Sequence, residues 1–512
     1  MSKTVEESAE LPVEALATDA ASALGIQRVL RKASGLSGAS LLGSALGIIA
    51  GFAVARRLGP ERVGDGQFVV LCYFYAAILR TGVFEGSVRA VVGSLGRGDR
   101  RAAVRDQNVG LSFDLVTSLV PGLVLAMIGL FAQPDVRRLG FFVAPLAVLA
   151  STASSDLGAL WSARDRFDVV GWASVVRAAA GPAALVGLVL VLGTPGIFLG
   201  PIVTDFASAG VYLLARPALH LRAHLDADRA RSLVRVGFPL GAAVVVYWAY
   251  RLVGSTSIAF SSSALALGLY TFAAAPVAVA TRAISGVQAV LMPAVWSEYS
   301  AGGGGGAWVR QAERVTLALA VIAGATAGLA QAGFAPVLLW VVPGFAPSIR
   351  LFDILALTIL LLPVATVPSL VLDSQRVNRQ TRHLLAWVIA LLVNAGANAA
   401  VLKAGWGAQA VAIDDVWVQF VVVIALVELA APHMWGVETS RRLRLYAGLA
   451  VALLATVAVT VALDAQAAHL DTGHLDVGAL LLRSAATLAV WAAVGALLVR
   501  PDLRRLLRRR AA

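Results

Sequence analysis

The sequence predicts an all-α integral membrane protein of about fourteen transmembrane helices, built as two six-helix lobes followed by two extra C-terminal helices. Three observations predict it. Of the 512 residues, 59% are apolar and only 14% charged, with a mean hydropathy of +0.80, so too little polar surface remains to cover a water-soluble fold. Apolar windows of about 20 residues, the length that crosses a bilayer, recur along the chain with basic clusters on alternate sides. The first six windows are echoed by the next six.

Taken in order, residues 1–27 are acidic and lack the basic and apolar regions of a signal peptide, which predicts a disordered cytosolic tail. Spans 1 to 6, near 35–55, 64–86, 110–132, 139–160, 168–192 and 195–216, form an N-lobe over 28–216. Span 1 (GLSGASLLGSALGIIAG) carries the small residues that let membrane helices approach closely. Residues 217–235 (PALHLRAHLDADRARSLVR) are too charged to cross, and Leu219, Leu221, Leu225 and Leu233 among basic residues predict a cytosolic amphipathic linker on the membrane surface. Spans 7 to 12, near 236–258, 266–294, 314–340, 351–373, 382–402 and 407–430, form a C-lobe over 236–430. The run Gly302–Gly306 predicts a flexible loop within it. Spans 13 and 14, near 443–464 and 476–499, fill 431–499, and a basic cytosolic tail follows at 500–512. Cys72 is the single cysteine, which excludes an intramolecular disulfide and a cysteine metal cluster.

The net charge of +12 is a topology signal rather than a nucleic-acid footprint. With the N-terminus inside, the inner segments from residue 28 onward hold 29 Arg and Lys residues and the outer loops seven: Arg56, Arg57, Arg62, Arg137, Arg138, Arg350 and Lys403. Both termini are therefore expected in the cytoplasm of a multi-pass inner-membrane protein, and the number of spans is even. The repeat has its own register. Gly64-Asp65-Gly66-Gln67-Phe68 opens span 2 and Gly268-Leu269-Tyr270-Thr271-Phe272 opens span 8, an offset of 204 residues. An even number of spans per copy gives both copies the same orientation, and transporters with such parallel repeats bind substrate between lobes that rock against each other.

Arg80, Arg251 and Arg282 interrupt spans 2, 7 and 8. A cation at bilayer depth costs roughly 2.5–3.5 kcal/mol, so it normally faces a cavity or a partner. Arg177 in span 5 and Asp205 in span 6 sit near mid-membrane on adjacent helices and predict an ion pair. Glu85 and Arg89 lie where span 2 leaves the membrane, as an interfacial pair or a gate. Asp114 and Asp156, near the ends of spans 3 and 4, are explained by solvation or helix packing. Asp114, Asp156 and Asp205 are also candidates for ion coupling. Asp414 and Asp415 lie in the outer third of span 12 within reach of water, and Arg483 is close enough to the surface to snorkel. There is no P-loop, and the histidines form no metal pattern.

The stretch LLGSALGIIAGFAVARRLGPERVGDGQFVVLCYFYAAILRTGVFEGSVRAVV, with its turn at Leu58, Gly59, Pro60 and Gly64, resembles bacterial polysaccharide (Wzx-like) flippases. These form a branch of the multidrug/oligosaccharidyl-lipid/polysaccharide (MOP) exporter superfamily. The turn SSSALALGLYTFA, the Met292-Pro293-Ala294 end of span 8 and the stretch VNAGANAAVLKAGWGAQAVA resemble it too. The likeness covers most of 28–430. It departs from the family late in span 7, where a polar pair is usual and this chain has Gly254-Ser255-Thr256-Ser257.

The resemblance implies a V-shaped cavity lined by spans 1, 2, 7 and 8, and movement of a polyprenyl-pyrophosphate-linked oligosaccharide across the inner membrane for surface polysaccharide biosynthesis. Arg80, Arg282 and Arg251 would then bind the anionic head group, since guanidinium pairs well with pyrophosphate. Expected partners are that lipid-linked glycan, the bilayer, a polysaccharide polymerase and glycosyltransferases, with no nucleic acid. The reading is of a non-enzyme with no cofactor, open to H+ or Na+ coupling. Two alternatives of the same superfamily stay open: a drug or metabolite cation antiporter, and a lipid II flippase.

Overall fold

A computed structural model describes residues 13–79, 82–133, 135–164, 166–215, 220–281, 306–373, 377, 379–434, 439–467 and 476–510. The described residues form helices and no strand. In chain order they are α1 (Val13–Ile78), α2 (Val83–Gly96), α3 (Arg100–Gly129), α4 (Asp135–Ala163), α5 (Phe167–Leu192), α6 (Pro195–Leu214) and α7 (Ala227–Ser261). The chain continues with α8 (Ala264–Thr281). Then come α9 (Gly306–Val341), α10 (Ser348–Asp373), α11 (Gln380–Lys403), α12 (Gly407–Met434), α13 (Thr439–Ala467) and α14 (Val477–Arg510). Thirteen of these stretches are long and apolar enough to cross a membrane.

The first of them counts twice. α1 is broken at Gly59 (φ 76°, ψ 168°), directly before Pro60. Gly43 and Gly47 before the break line the same cavity as Gln67 and Val70 after it. A straight helix would hold Gly43 and Val70 about 40 Å apart, so the chain doubles back at Gly59 and its two arms are spans 1 and 2. Pro at the first turn of the second arm is tolerated because that N–H has no helical partner, and the glycine accepts a φ that L side chains avoid.

Span 2 was expected to run unbroken to residue 86. The second arm ends at Ile78 instead, and α2 begins at Val83 after Gly82 (φ 78°). Gly82 lies against the backbone of α7, where an added Cβ would come 2.8 Å from the Phe238 Cα. The break lets α2 pack on both α3 and α7. Helices also run beyond their apolar windows. α3 starts at Arg100, where the Asp99 carboxylate caps it by accepting from the Ala102 N–H (3.0 Å). α7 starts at Ala227, capped by Asp226 accepting from the Arg229 N–H (2.9 Å). Within the expected linker, residues 220–226 are non-helical and lie along α3.

The N-lobe (α1 to α6) and C-lobe (α7 to α12) meet along one seam. The second arm of α1 and α2 run antiparallel to α7, from Phe68 against Phe260 through Phe74 against Trp248 to Gly86 against Leu233. A hydrogen bond of 2.7 Å joins the Tyr75 and Thr256 hydroxyls along it. At the Gly59 end a continuous apolar cluster crosses the lobe boundary, with Val54 and Val63 of α1 packed with Leu267 and Tyr270 of α8 and Phe345 beyond α9. At the Gly82 end Val83, Val109, Ala230 and Leu233 knit α2 and α3 to α7. α13 and α14 dock on α9, where Gly324 and Gly328 admit the buried Trp491. Apolar side chains such as Leu123, Val191, Leu392 and Leu482 point outward, as a lipid-facing surface requires.

The internal repeat is visible as a pseudo-twofold contact. Gly64 and Gly268, the repeat-equivalent glycines, touch across the lobe boundary. An added Cβ on either would come 3.0 Å from the other's backbone nitrogen. Gly64 also abuts the Ala264 carbonyl, and Gly268 the Pro60 carbonyl, and Pro60 and Ala264 are themselves separated by the repeat offset. Small residues at such a crossing let two backbones meet directly.

Candidate functional site

Between the arms of α1, α5, α6 and α8 lies a cavity of about 680 Å³, within the usual range for small-molecule sites. The first arm presents only Gly43, Ser44 and Gly47, so its backbone forms one wall; Gln67 and Val70 come from the second arm, and Val279 of α8 closes the far side. Gly181-Pro182 in α5 and Pro201 in α6 face it as well. Each proline removes a helical N–H donor and leaves a carbonyl one turn earlier without its partner. Gly47, Gln67, Leu185, Ile197 and Val279 are shared with a smaller apolar chamber of about 150 Å³, which reaches toward Phe52, Phe272 and Phe334 at the sealed Gly59 end.

The charged pair in this cavity is Arg177 with Asp205. Arg177 Nη2 donates to Asp205 Oδ1 and, at 3.4 Å, to Ser154 Oγ. The Ser154 and Ser208 hydroxyls are themselves bonded at 2.9 Å. The Arg177 side chain is 53% exposed and that of Asp205 15%, so the acid is held from behind while the guanidinium faces open space. A guanidinium has five N–H donors, and these contacts use one nitrogen. The rest can meet an anion in the cavity.

The C-lobe holds a second polar cluster on its corresponding helices. Asp415 of α12 accepts from the Tyr270 hydroxyl, from Asn394 Nδ2 at 2.8 Å and from Asn398 Nδ2 at 3.3 Å. Arg251 is within electrostatic reach of Asp415 and of Tyr247, Tyr250 and Tyr270. Gly254 makes room for the carboxylate, since an added Cβ there would lie 3.0 Å from Asp415 Cγ. Where the resembled family carries a polar pair late in span 7, this chain has a glycine, and α12 supplies the acid. Asp205 follows the start of α6 by ten residues and Asp415 the start of α12 by eight, so the two acids lie at similar depth in their lobes.

Of the residues singled out in the sequence, Arg80 and Arg282 lie outside the described residues. Arg251 lies beside the Asp415 cluster inside the C-lobe. Glu85 faces α7 across Gly241 (3.7 Å to an added Cβ), while Arg89, one turn on, is exposed. Asp114 and Asp156 are fully buried in the N-lobe, which removes solvation as their explanation. Two expectations are corrected. Asp415 is drawn into the lobe by three side-chain donors instead of sitting in water, and Arg483 is buried at 7% exposure instead of snorkelling. The missed signal for Asp415 was Asn394 and Asn398, one helical turn apart on α11 and so on one face.

The comparisons follow from this geometry. No family model matches the chain, and no curated protein matches it. Solved structures do. The lipid II flippase MurJ in an inward closed conformation aligns with a TM-score of 0.65 at 11% identity, covering 91% of this chain and 99% of that one. An inward-facing multidrug resistance MATE family transporter of the MOP superfamily aligns at 0.61 with 15% identity, over 76% and 94%. A MOP superfamily transporter from Pyrococcus furiosus, described by the reverse polarity of its binding pocket, aligns at 0.53 with 16% identity, over 79% and 95%. The fold is the MOP transporter fold. At these identities the likeness is one of architecture. Within that fold, the packing of α5 on α6 in the N-lobe is what brings Arg177 to Asp205.

Proposed function

We propose that this MOP-fold protein is a flippase that moves a polyprenyl-pyrophosphate-linked oligosaccharide from the cytoplasmic to the outer face of the inner membrane. The observation that carries the proposal is a half-exposed arginine, Arg177, facing a cavity of about 680 Å³ in the N-lobe that Val279 of the C-lobe closes. A cation in that position favours an anionic cargo. In this reading Arg80 and Arg282, near-equivalent in the repeat, capture the pyrophosphate from the cytoplasmic side, and Arg177 and Arg251 receive it deeper in the bundle. With the charge alternation setting orientation, the Gly59 end faces outward and is the closed gate. Alternating access opens it. With the inside negative, moving an anion outward releases about 2.3 kcal/mol per charge per 100 mV.

Coupling to H+ or Na+ belongs to the same proposal, through Asp114 or Asp205 in the N-lobe and Asp415 in the C-lobe. A polymerase and glycosyltransferases would act on either side of the step. The alternative of lipid II as cargo is favoured by one observation. The MurJ structure covers 91% of this chain against 76% and 79% for the other two, and the difference is about the size of α13 plus α14. The test is flipping of a fluorescent polyprenyl-pyrophosphate glycan by the full chain in liposomes, with lipid II and a cationic dye as competitors. Flipping lost in Arg177→Ala, Arg80→Ala and Arg282→Ala supports the reading. Cation export with unchanged glycan flipping in all three replaces it with the antiporter.

A further inference from the structure

At the Gly82 end, away from the Arg177 cavity, α3 and the segment 220–224 enclose a groove of about 610 Å³. One wall is the first turns of α3, with Arg100, Arg101 and Arg105. The other is the segment, with His220, Arg222 and His224. None of the described lining residues is acidic. Of the acids close by, Asp226 caps α7 and Asp228 is exposed in its first turn. Asp99 caps α3, and the fully buried Asp106 accepts two bonds of 2.7 Å from Arg229 Nε and Nη2.

The segment is a built wall. Asn108 Nδ2 donates to the His220 carbonyl at 3.2 Å, and Asn108 Oδ1 accepts from the Arg222 N–H at 3.3 Å. Ser112 Oγ accepts from the His224 N–H at 3.0 Å. His220 holds φ at 52°, an uncommon conformation for a non-glycine residue, and Leu221 is packed against the buried cluster around Trp161. The charged side chains on both sides are thus presented toward one space.

Its surroundings indicate what enters. α3 is 30 residues long, about 45 Å, against a hydrocarbon core of about 30 Å, so its first turns lie at head-group level. At about 100° per residue, Arg101 and Arg105 of the groove fall within roughly 60° of Ser112 and Val116 on α3, with Val120 about 40° further round. Val116 and Val120 are more than half exposed, as is Leu225 at the edge of the segment. The basic groove therefore opens onto a lipid-facing apolar stripe of the same helix.

We propose that this groove is a binding site for the phosphate of an acidic phospholipid of that leaflet, with the head group between Arg101 and Arg222 and an acyl chain along Val116 and Val120. Basic residues scattered for topology alone would attract acidic lipid diffusely. A built groove retains it at one place.

The experiment uses the full chain in nanodiscs of phosphatidylcholine alone or mixed with phosphatidylglycerol, and reads retained lipid by native mass spectrometry. Arg101→Gln with Arg222→Gln is compared with Arg62→Gln plus Arg350→Gln, which removes the same charge from exposed positions at the Gly59 end. The groove variant is expected to retain phosphatidylglycerol about thirtyfold less, since each basic residue near an anionic surface is worth a factor of about five. The Gly59-end variant should match the wild type. Equal losses in both variants, or none in either, would overturn the proposal. Inorganic pyrophosphate binding in detergent, with no preference for phosphatidylglycerol over phosphatidylcholine, would overturn the lipid assignment. Should the double variant fail to fold, Arg101→Gln and Arg222→Gln singly are read the same way, each with about a fivefold loss.

Discussion

The contact between Gly64 and Gly268 should set the conformational balance of the two lobes, and Gly64→Ala tests it. The added methyl would sit 2.6 Å from the Ala264 carbonyl carbon and closer still to its oxygen. The obstacle is backbone, so no rotamer change relieves it, and the second arm of α1 must move off α8. Overpacking of this kind costs about 1–3 kcal/mol. Taking 2 kcal/mol, the closed arrangement of the Gly59 end loses about thirtyfold against any state in which the lobes part there. Gly268→Ala should act alike, since its Cβ would lie 2.9 Å from the Pro60 carbonyl carbon. The assay is double electron–electron resonance on the full chain in nanodiscs, with spin labels at Arg62 and Ser262 and Cys72 replaced. Both variants should enrich the longer distances. Gly396→Ala, with nothing within 4 Å of its new methyl, should leave the distribution unchanged. An unaltered distribution and melting temperature in Gly64→Ala would refute the reasoning.

Arg177→Ala leaves Asp205 in the cavity wall without its cation; the melting temperature should fall, by the equivalent of about 1–2 kcal/mol because the arginine is half exposed. Arg177→Met with Asp205→Leu should recover the stability and not glycan flipping, which separates packing from function. Gly254→Ala should push Asp415 away from Tyr270 and the two asparagines, and any Na+ or pH dependence of transport should weaken while insertion and folding persist. Asp106→Asn breaks the two-bond contact of a fully buried carboxylate with Arg229 and should cost about 3 kcal/mol, read by chemical denaturation. Asp106 holds the Arg229 guanidinium above its ordinary, already high value. A raised pKa in the folded state contributes stability that is complete below the unfolded value and lost only as pH climbs past it. The Arg229 contribution should therefore be flat between about pH 6 and pH 9.

Much of the frame was legible in the chain. Partition between water and lipid is nearly a sum over single residues, so a window of 20 apolar side chains announces a span without reference to its neighbours. The break at Gly82 was less legible, because Arg80-Thr81-Gly82 interrupts an apolar window that is long enough to be read as one span. What forces the bend is the backbone of α7, more than 150 residues further on. The same holds for Asp415, which looked accessible by depth alone. Its surroundings come from α8 and α11, and only their packing brings Tyr270, Asn394 and Asn398 to one carboxylate.

By itself the sequence determined the class, the spans, the alternation of basic segments and the twofold repeat that makes Gly64 and Gly268 equivalents. Each of these is a one-dimensional property, carried by composition or by spacing. Tertiary structure alone decided that the equivalent glycines touch, that span 2 breaks at Gly82, and that Arg177 faces the cavity of the N-lobe. Those outcomes depend on which faces of distant helices meet, and a face acquires its neighbours only when both lobes have packed.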